Sequence, residues 1–250
     1  MLSGKINSLS KMKKMAAQPV SYKDEVFRCQ NFGMDVISEI MQNHNYEAGV
    51  RQMFWGKQNN MLNIFNKMDG ILIPENDKGR YTQALEVLYR DIRFFPVKQD
   101  ARQKYGWYYE DSWGDARTYG GTRRHEGTDI MAENNRRGYF TIVSVSDGVV
   151  EKKGWLQQGG YRIGIRSPSG AYFYYAHLYD YANLQEGDSV LAGETLGHMG
   201  DTGYSEIEGT TGNFAVHLHF GMYLNMDGKE TSVNSYPVLS WLEAENLVLY

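Results

Sequence analysis

The sequence predicts an α+β protein in two parts: a helical segment over residues 1–96 and a mainly antiparallel β domain, of sandwich or barrel type, over residues 97–250. Three observations carry this reading. Only 6 of the 27 glycines precede residue 101, so the two parts have different backbone needs. Apolar residues recur at helical spacing before Pro96 and in short alternating runs after it. Across residues 213–223 the alternation is complete, the pattern of a strand with one buried face.

In the first part, residues 22–42 place Val26, Met34, Val36, Ile37, Ile40 and Met41 at broadly helical intervals. Residues 47–70 carry Met53, Phe54, Met61, Ile64, Phe65 and Met68, an apolar stripe that reads as helix packing surface rather than a binding box. Residues 80–93 repeat the spacing with Tyr81, Leu85, Leu88 and Ile92, and Pro96 closes the stretch. In the second part, Ile163 and Ile165 alternate with Arg162, Gly164 and Arg166, and residues 188–197 read as strand, tight turn, strand. From 213 to 223, Phe214, Val216, Leu218, Phe220 and Met222 share one face, while Ala215, His217, His219, Gly221 and Tyr223 occupy the other. Residues 236–250, with Val238, Leu239, Leu242 and Leu247, predict a short C-terminal helix packed back on the sheet.

Composition excludes several classes. Lys and Arg number 26 against 30 Asp and Glu, a net charge of −4, so no clustered cationic excess favours nucleic acid or an anionic membrane. At 42% apolar and 22% charged, the chain is suited to a buried core and not to wholesale disorder. The single cysteine, Cys29, excludes an intramolecular disulfide framework and any thiolate-rich zinc cluster. No stretch approaches the ~20 apolar residues that cross a bilayer, so no integral membrane segment is expected. Lys11, Lys13 and Lys14 resemble the charged start of a signal peptide, but residues 15–20 are too short and polar to follow as its apolar core, and no export signal is read there.

The chemistry is concentrated in the histidines, of which there are 6. His217 and His219 project side by side from one strand face, flanked by Ala215 and Gly221, which leave room above them. An isolated His-x-His is commonly a pair of half-exposed sheet residues. Here His125 stands four residues before Asp129, and imidazole nitrogen and carboxylate oxygen both suit zinc. His125, Asp129 and one of the paired histidines form three protein ligands with an open position, the arrangement of a catalytic site. Gly127, with Gly120 and Gly121, places this segment on an irregular strand or loop where the backbone approaches the metal. His177, in a run of strand formers, becomes a candidate catalytic group in that company. His44, in the helical part, and His198, read as following Gly197 in a turn, are expected to be ordinary surface residues.

In chain order, His125-x-Gly127-x-Asp129, Tyr175-Ala176-His177-Leu178, the glycine-spaced run from Gly187 to Gly197, and His217-Leu218-His219-Phe220 resemble the lysostaphin/LytM family of zinc endopeptidases. The resemblance spans roughly residues 97–240 and leaves the first part outside it. It implies a duplicated hybrid motif fold with an open groove, acting on the stem or cross-bridge peptides of cell-wall peptidoglycan. It implies that His125, Asp129 and His219 hold Zn2+ and that His177 and His217 act on protons without ligating. In that scheme His217 orients or deprotonates the water and His177 hydrogen-bonds the oxyanion, with the two roles exchangeable. The sequence departs from many members at Gly221, where they carry Glu, and in the longer stretch from Gly203 to Asn213, whose Tyr204, Glu206 and Glu208 are expected to wall the groove. A wall substrate implies work outside the cytoplasm, in the cell wall or at the cell surface.

Two other classes fit these residues less well. A non-catalytic LytM-like domain binding the wall or a partner protein would characteristically lack part of this residue set, which is complete here. A lipoyl or biotinyl carrier needs a displayed lysine, and residues 187–200 contain none. A histidine phosphocarrier has no use for His125 and Asp129 at their spacing.

Overall fold

Short alternating runs with β-branched and aromatic residues pair with one another when one face of each can be buried, and from residue 97 onward the chain does this throughout. The computed structural model describes residues 91–119, 121–226, 229–244 and 247–250. The expected helical stretches over 22–42 and 47–70 lie outside the described residues, as do Cys29 and His44. The strands, in order, are β1 (Val97–Lys98), β2 (Trp107–Tyr109), β3 (Ala116–Arg117), β4 (Arg123–Arg124), β5 (Thr128–Ala132), β6 (Thr141–Val143) and β7 (Gly148–Leu156). They continue with β8 (Gly160–Arg166), β9 (Tyr172–Tyr181), β10 (Ser189–Val190), β11 (Thr195–Met199), β12 (His217–Met226) and β13 (Lys229–Val233), and a helix α1 (Tyr236–Ala244) follows.

Among the described residues, eleven strands form one antiparallel sheet and β3 with β4 a separate two-stranded ribbon. The main path runs β1-β6-β11-β9-β12-β5-β2, while β8 joins β9 and leads to β7 and β10. Two long strands organise the site. Strand β12 lies between β5 and β9 in its first half and pairs β13 in its second. Strand β9 changes neighbours along its length, with Tyr172–Ala176 against β12 and Leu178–Tyr181 against β11, so the exchange falls at His177.

The buried faces interlock as the sequence pattern requires. Val216, Leu218, Phe220 and Met222 are fully or almost fully buried, together with Ile163 and Ile165 of β8 and Phe173 and Tyr175 of β9. Burying each large apolar side chain contributes about 1.5–3 kcal/mol. The Tyr175 hydroxyl, buried among them, accepts the Val145 amide proton at 2.9 Å, so its polar atom is not left without a partner. Helix α1 packs Val238, Leu239 and Leu242 into this same core, as expected of the C-terminal segment.

One expectation changes at the start of the described chain. Residues 92–96 carry no helix, although Ile92 fits the helical spacing of residues 80–93. The amides of Arg93 and Phe95 donate to the carbonyls of Val145 and Leu247, and Ile92 and Phe95 are buried in the β core. Tertiary hydrogen bonds have replaced the helical ladder there, and packing against the β domain begins before residue 97. No helix among the described residues is long and apolar enough to cross a membrane.

Candidate functional site

Antiparallel register builds the centre of the site. His219 of β12 stands directly opposite Asp129 of β5, and cross-strand partners project to the same face. His217, two residues earlier on β12, shares that face. His125 arrives from the short loop between β4 and β5. Three atoms then meet: His125 Nε2 lies 3.0 Å from Asp129 Oδ1 and 2.9 Å from His219 Nδ1, and His219 Nδ1 lies 3.0 Å from the same carboxylate oxygen. Bond lengths of about 2.0–2.1 Å to a tetrahedral zinc ion put neighbouring donor atoms about 3.3 Å apart, so this triangle suits one cation with little adjustment. Two nitrogen lone pairs and a carboxylate gathered this closely repel one another unless a positive charge stands among them. His125, Asp129 and His219 also form a His/Asp cluster able to hold a metal ion among the described residues.

Surrounding groups aim these donors. His125 Nδ1 lies 3.0 Å from both the Ser112 carbonyl oxygen and Arg117 Nη2, contacts that fix the ring so that Nε2 faces the cluster. Arg117 donates to the second oxygen of Asp129 at 2.8 Å. Burial opposes ionisation of Asp129, yet its close contacts with the His125 and His219 rings outweigh it and hold the carboxyl far below its ordinary range. Burial also depresses His219, favouring the neutral ring that a metal needs, although Asp129 works against this. Gly127 is required by close approach: a Cβ there would stand 2.5 Å from the Phe220 carbonyl and 2.8 Å from the His219 ring.

The remaining two histidines flank the triangle. His217 donates from Nδ1 to the Ala215 carbonyl at 2.7 Å, and its Nε2 lies 3.8 Å from Asp129 Oδ1. His177 donates from Nδ1 to the Thr202 carbonyl at 2.8 Å, and its ring centroid is 4.7 Å from that of His217. Both rings therefore present Nε2 to the groove as an acceptor. Burial, with repulsion from His217 and His219, pushes the His177 pKa well below the ordinary histidine value.

Strand alternation alone would send His177 the other way. Tyr172, Tyr174 and Ala176 share the groove face, and the next residue should point into the core. Strand β9 instead carries one extra residue against β8 between the pairs Tyr161–Leu178 and Ile163–Tyr175, and His177 has φ 62°. This bulge turns the imidazole back into the groove. A left-handed backbone at a non-glycine residue costs about 1–2 kcal/mol, and Tyr204, at φ 53°, bears it as well.

All five expected site residues line one groove of about 230 Å³. Tyr204 lines it too, as expected for the stretch before β12, whereas Glu206 and Glu208 do not. The Tyr204 ring stacks on Tyr119 of the β3–β4 ribbon, with centroids 4.1 Å apart and planes 6° from parallel. Sequence reasoning missed Ser112, Arg117 and Thr202, whose partners are set by loop and ribbon geometry rather than by any periodic spacing, and the register of Arg117 with Arg123 on the ribbon gave no sequence signal. It also misplaced Phe214. That residue precedes β12, and its ring packs on His177 at 4.6 Å and His217 at 5.1 Å rather than sharing the buried face, because alternation begins only with the strand. His198 is on β11 rather than in a turn, with Nδ1 2.7 Å from Asp180, and takes no part in the groove. Gly120 lies outside the described residues.

This constellation on this sheet is that of a metallopeptidase, and comparison with known proteins agrees. Residues 123–234 match peptidase family M23. A crystal structure from Ruminococcus gnavus, of a candidate glycyl-glycine endopeptidase LytM, is 44% identical, covers 94% of this chain and 93% of its own, and superposes with a TM-score of 0.70. The L-Ala–D-Glu endopeptidase of Bacillus subtilis (strain 168) is 45% identical over 132 residues, which are 52% of this chain and 39% of that protein. Lysostaphin of Staphylococcus simulans is 34% identical over 100 residues, 39% of this chain and 18% of its own. The aligned region thus spans well under half the length of these two relatives. The chain belongs to peptidase family M23, in its LytM/lysostaphin-like group.

Proposed function

We propose that this protein is a zinc-dependent endopeptidase that cleaves peptide bonds in the stem or cross-bridge peptides of peptidoglycan, outside the cytoplasm, through a catalytic unit spanning residues 97–250. The observation that carries the reading is the convergence of His125 Nε2, Asp129 Oδ1 and His219 Nδ1 beside two histidines that each present a free Nε2. A wall-binding domain without activity has no need of that second pair. His125, Asp129 and His219 would hold the ion. Zinc, when bound, supplies a water of pKa about 7 and polarises the scissile carbonyl.

The protein's own groups manage the protons. His217 takes a proton from the attacking water at Nε2, and the imidazolium so formed lies close to the negative Asp129 carboxylate. It then passes that proton to the departing amine. His177 has its only proton committed to Thr202 and is kept neutral by burial, so it accepts a hydrogen bond from the water and orients it rather than donating to an oxyanion. The His217 role is one that the sequence expectation held, whereas His177 on the water departs from the expectation that one of the two histidines serves the oxyanion.

The test is digestion of purified peptidoglycan with and without a chelator. Soluble peptide-bearing fragments should appear, vanish on chelation and return with added zinc. Intact peptidoglycan under all three conditions would overturn the reading.

A further inference from the structure

The β3–β4 ribbon holds an arrangement that the hydrolytic site itself does not account for. Arg117 and Arg123 are directly opposed in its register, so two guanidinium groups project from one face of a two-stranded ribbon. Like charges in that position destabilise the pair unless an anion stands near both. Arg117 has one, since it donates to Asp129 at 2.8 Å. Arg123 has no carboxylate partner among the described residues. Its Nε makes one long contact, 3.4 Å, to the Tyr119 carbonyl of its own ribbon. Arg124 follows it, and both line the groove with the histidines. The groove's own carboxylates are committed: Asp129 to His125, His219 and Arg117, and Glu126 to the Tyr223 hydroxyl at 3.3 Å. A chain with a net charge of −4 thus sets three arginines against two carboxylates in its reactive groove.

We infer that Arg123, with Arg124 beside it, receives a free carboxylate carried by the substrate peptide next to the bond that is cleaved. The inference rests on the endopeptidase reading and names its substrate class: acidic peptides rather than uncharged glycine bridges. Position supports a carboxylate on the reacting residues over a distant anionic polymer. Cross-strand Cβ atoms are about 4.5–5.5 Å apart, and the residue opposite Arg123 touches the carboxylate at the centre of the site. An anion seated on Arg123 would therefore lie in the same groove as the Asp129 carboxylate. The planar guanidinium fork matches a carboxylate in a bidentate way that lysine does not.

The experiment compares three substrates with the full chain loaded with zinc. Two are the same L-Ala–D-Glu-containing peptide, with the glutamyl carboxylate outside the chain either free or amidated, and the third is pentaglycine. The free carboxylate should raise kcat/KM at least about tenfold over each of the others, the scale of one hydrogen bond to a charged group. Arg123→Gln should bring the carboxylate-to-amide ratio toward one, and Arg123→Lys should retain part of it, with metal content and melting temperature as checks on folding. Equal rates for the three substrates, or an unchanged ratio in Arg123→Gln, would overturn the inference. So would stronger competition by a polyglycerol phosphate than by the carboxylated peptide, which would mark a polyanion site. If no peptide is cleaved, calorimetric titration separates the two readings. Binding that prefers the carboxylate and depends on Arg123 would uphold this inference while the hydrolase fails; binding without preference would end both.

Discussion

Strands β12 and β9 run side by side and supply histidines to one groove by opposite means. On β12, His217 and His219 reach the groove because they are two residues apart in regular sheet, with Leu218 between them buried. On β9, His177 reaches it by breaking that rule, through a bulge, a positive φ and an exchange of neighbouring strands from β12 to β11. Regular pairing has no strain to offset, and register with β5 places His219 on Asp129 at once. The bulge needs support from outside the strand: the His177 amide donates to the Gly159 carbonyl, its ring to Thr202, and Thr202 in turn donates to the Leu178 carbonyl at 2.7 Å. Regular sheet can present imidazoles to a shared groove at spacings of two, whereas a third direction of approach takes an irregularity.

The largest effect should separate neighbours on β12. His219→Ala should reduce bound metal and activity to background, while His217→Ala retains the metal. Equal metal loss in the two variants would erase the distinction between them. Next, His177→Ala and His217→Ala should each keep the metal and lower turnover by about 10²–10⁴-fold, the range for lost acid-base assistance, so that the bulged and the regular strand contribute alike. Normal turnover in His177→Ala would show the bulge to be irrelevant to chemistry.

A smaller effect is expected where β12 meets the loop before β5. Gly127→Ala inserts a methyl group against the Phe220 carbonyl and the His219 ring, and should destabilise by about 1–3 kcal/mol in denaturant titration and weaken zinc retention. An unchanged midpoint would mean that the loop moves aside freely. The smallest effect is the most direct comparison of the two strands. At position 177 the left-handed backbone favours glycine, so His177→Gly should be more stable than His177→Ala by about 1 kcal/mol. At position 217, within regular sheet, the order should reverse, with Ala above Gly by about 0.5–1 kcal/mol. The same order at both sites would remove the strain argument.

How much of this was legible in the sequence depended on whether the signal was local. The β grammar after residue 97, the buried face of β12 and the docking of α1 follow from alternation and hydropathy, which any short window displays. Phe214 shows the limit, because a period of two extends only as far as the strand does, and residue 214 is outside it. Ile92 shows another: helical spacing was present, but carbonyls from Val145 and Leu247 captured the nearby backbone amides.

Residue type and spacing alone determined that this chain carries two imidazoles on one strand face and a His-x-Gly-x-Asp segment suited to a hard or borderline cation, because side-chain direction in a strand is set by covalent geometry. Which atoms meet was decided only by tertiary structure. His125 and His219 are 94 positions apart, and their contact exists because β5 and β12 pair in one register out of many. The inward turn of His177, the proton held on its Nδ1 by Thr202, and the opposition of Arg117 to Arg123 likewise depend on backbone groups brought together by the fold, which leave no periodic trace in the chain.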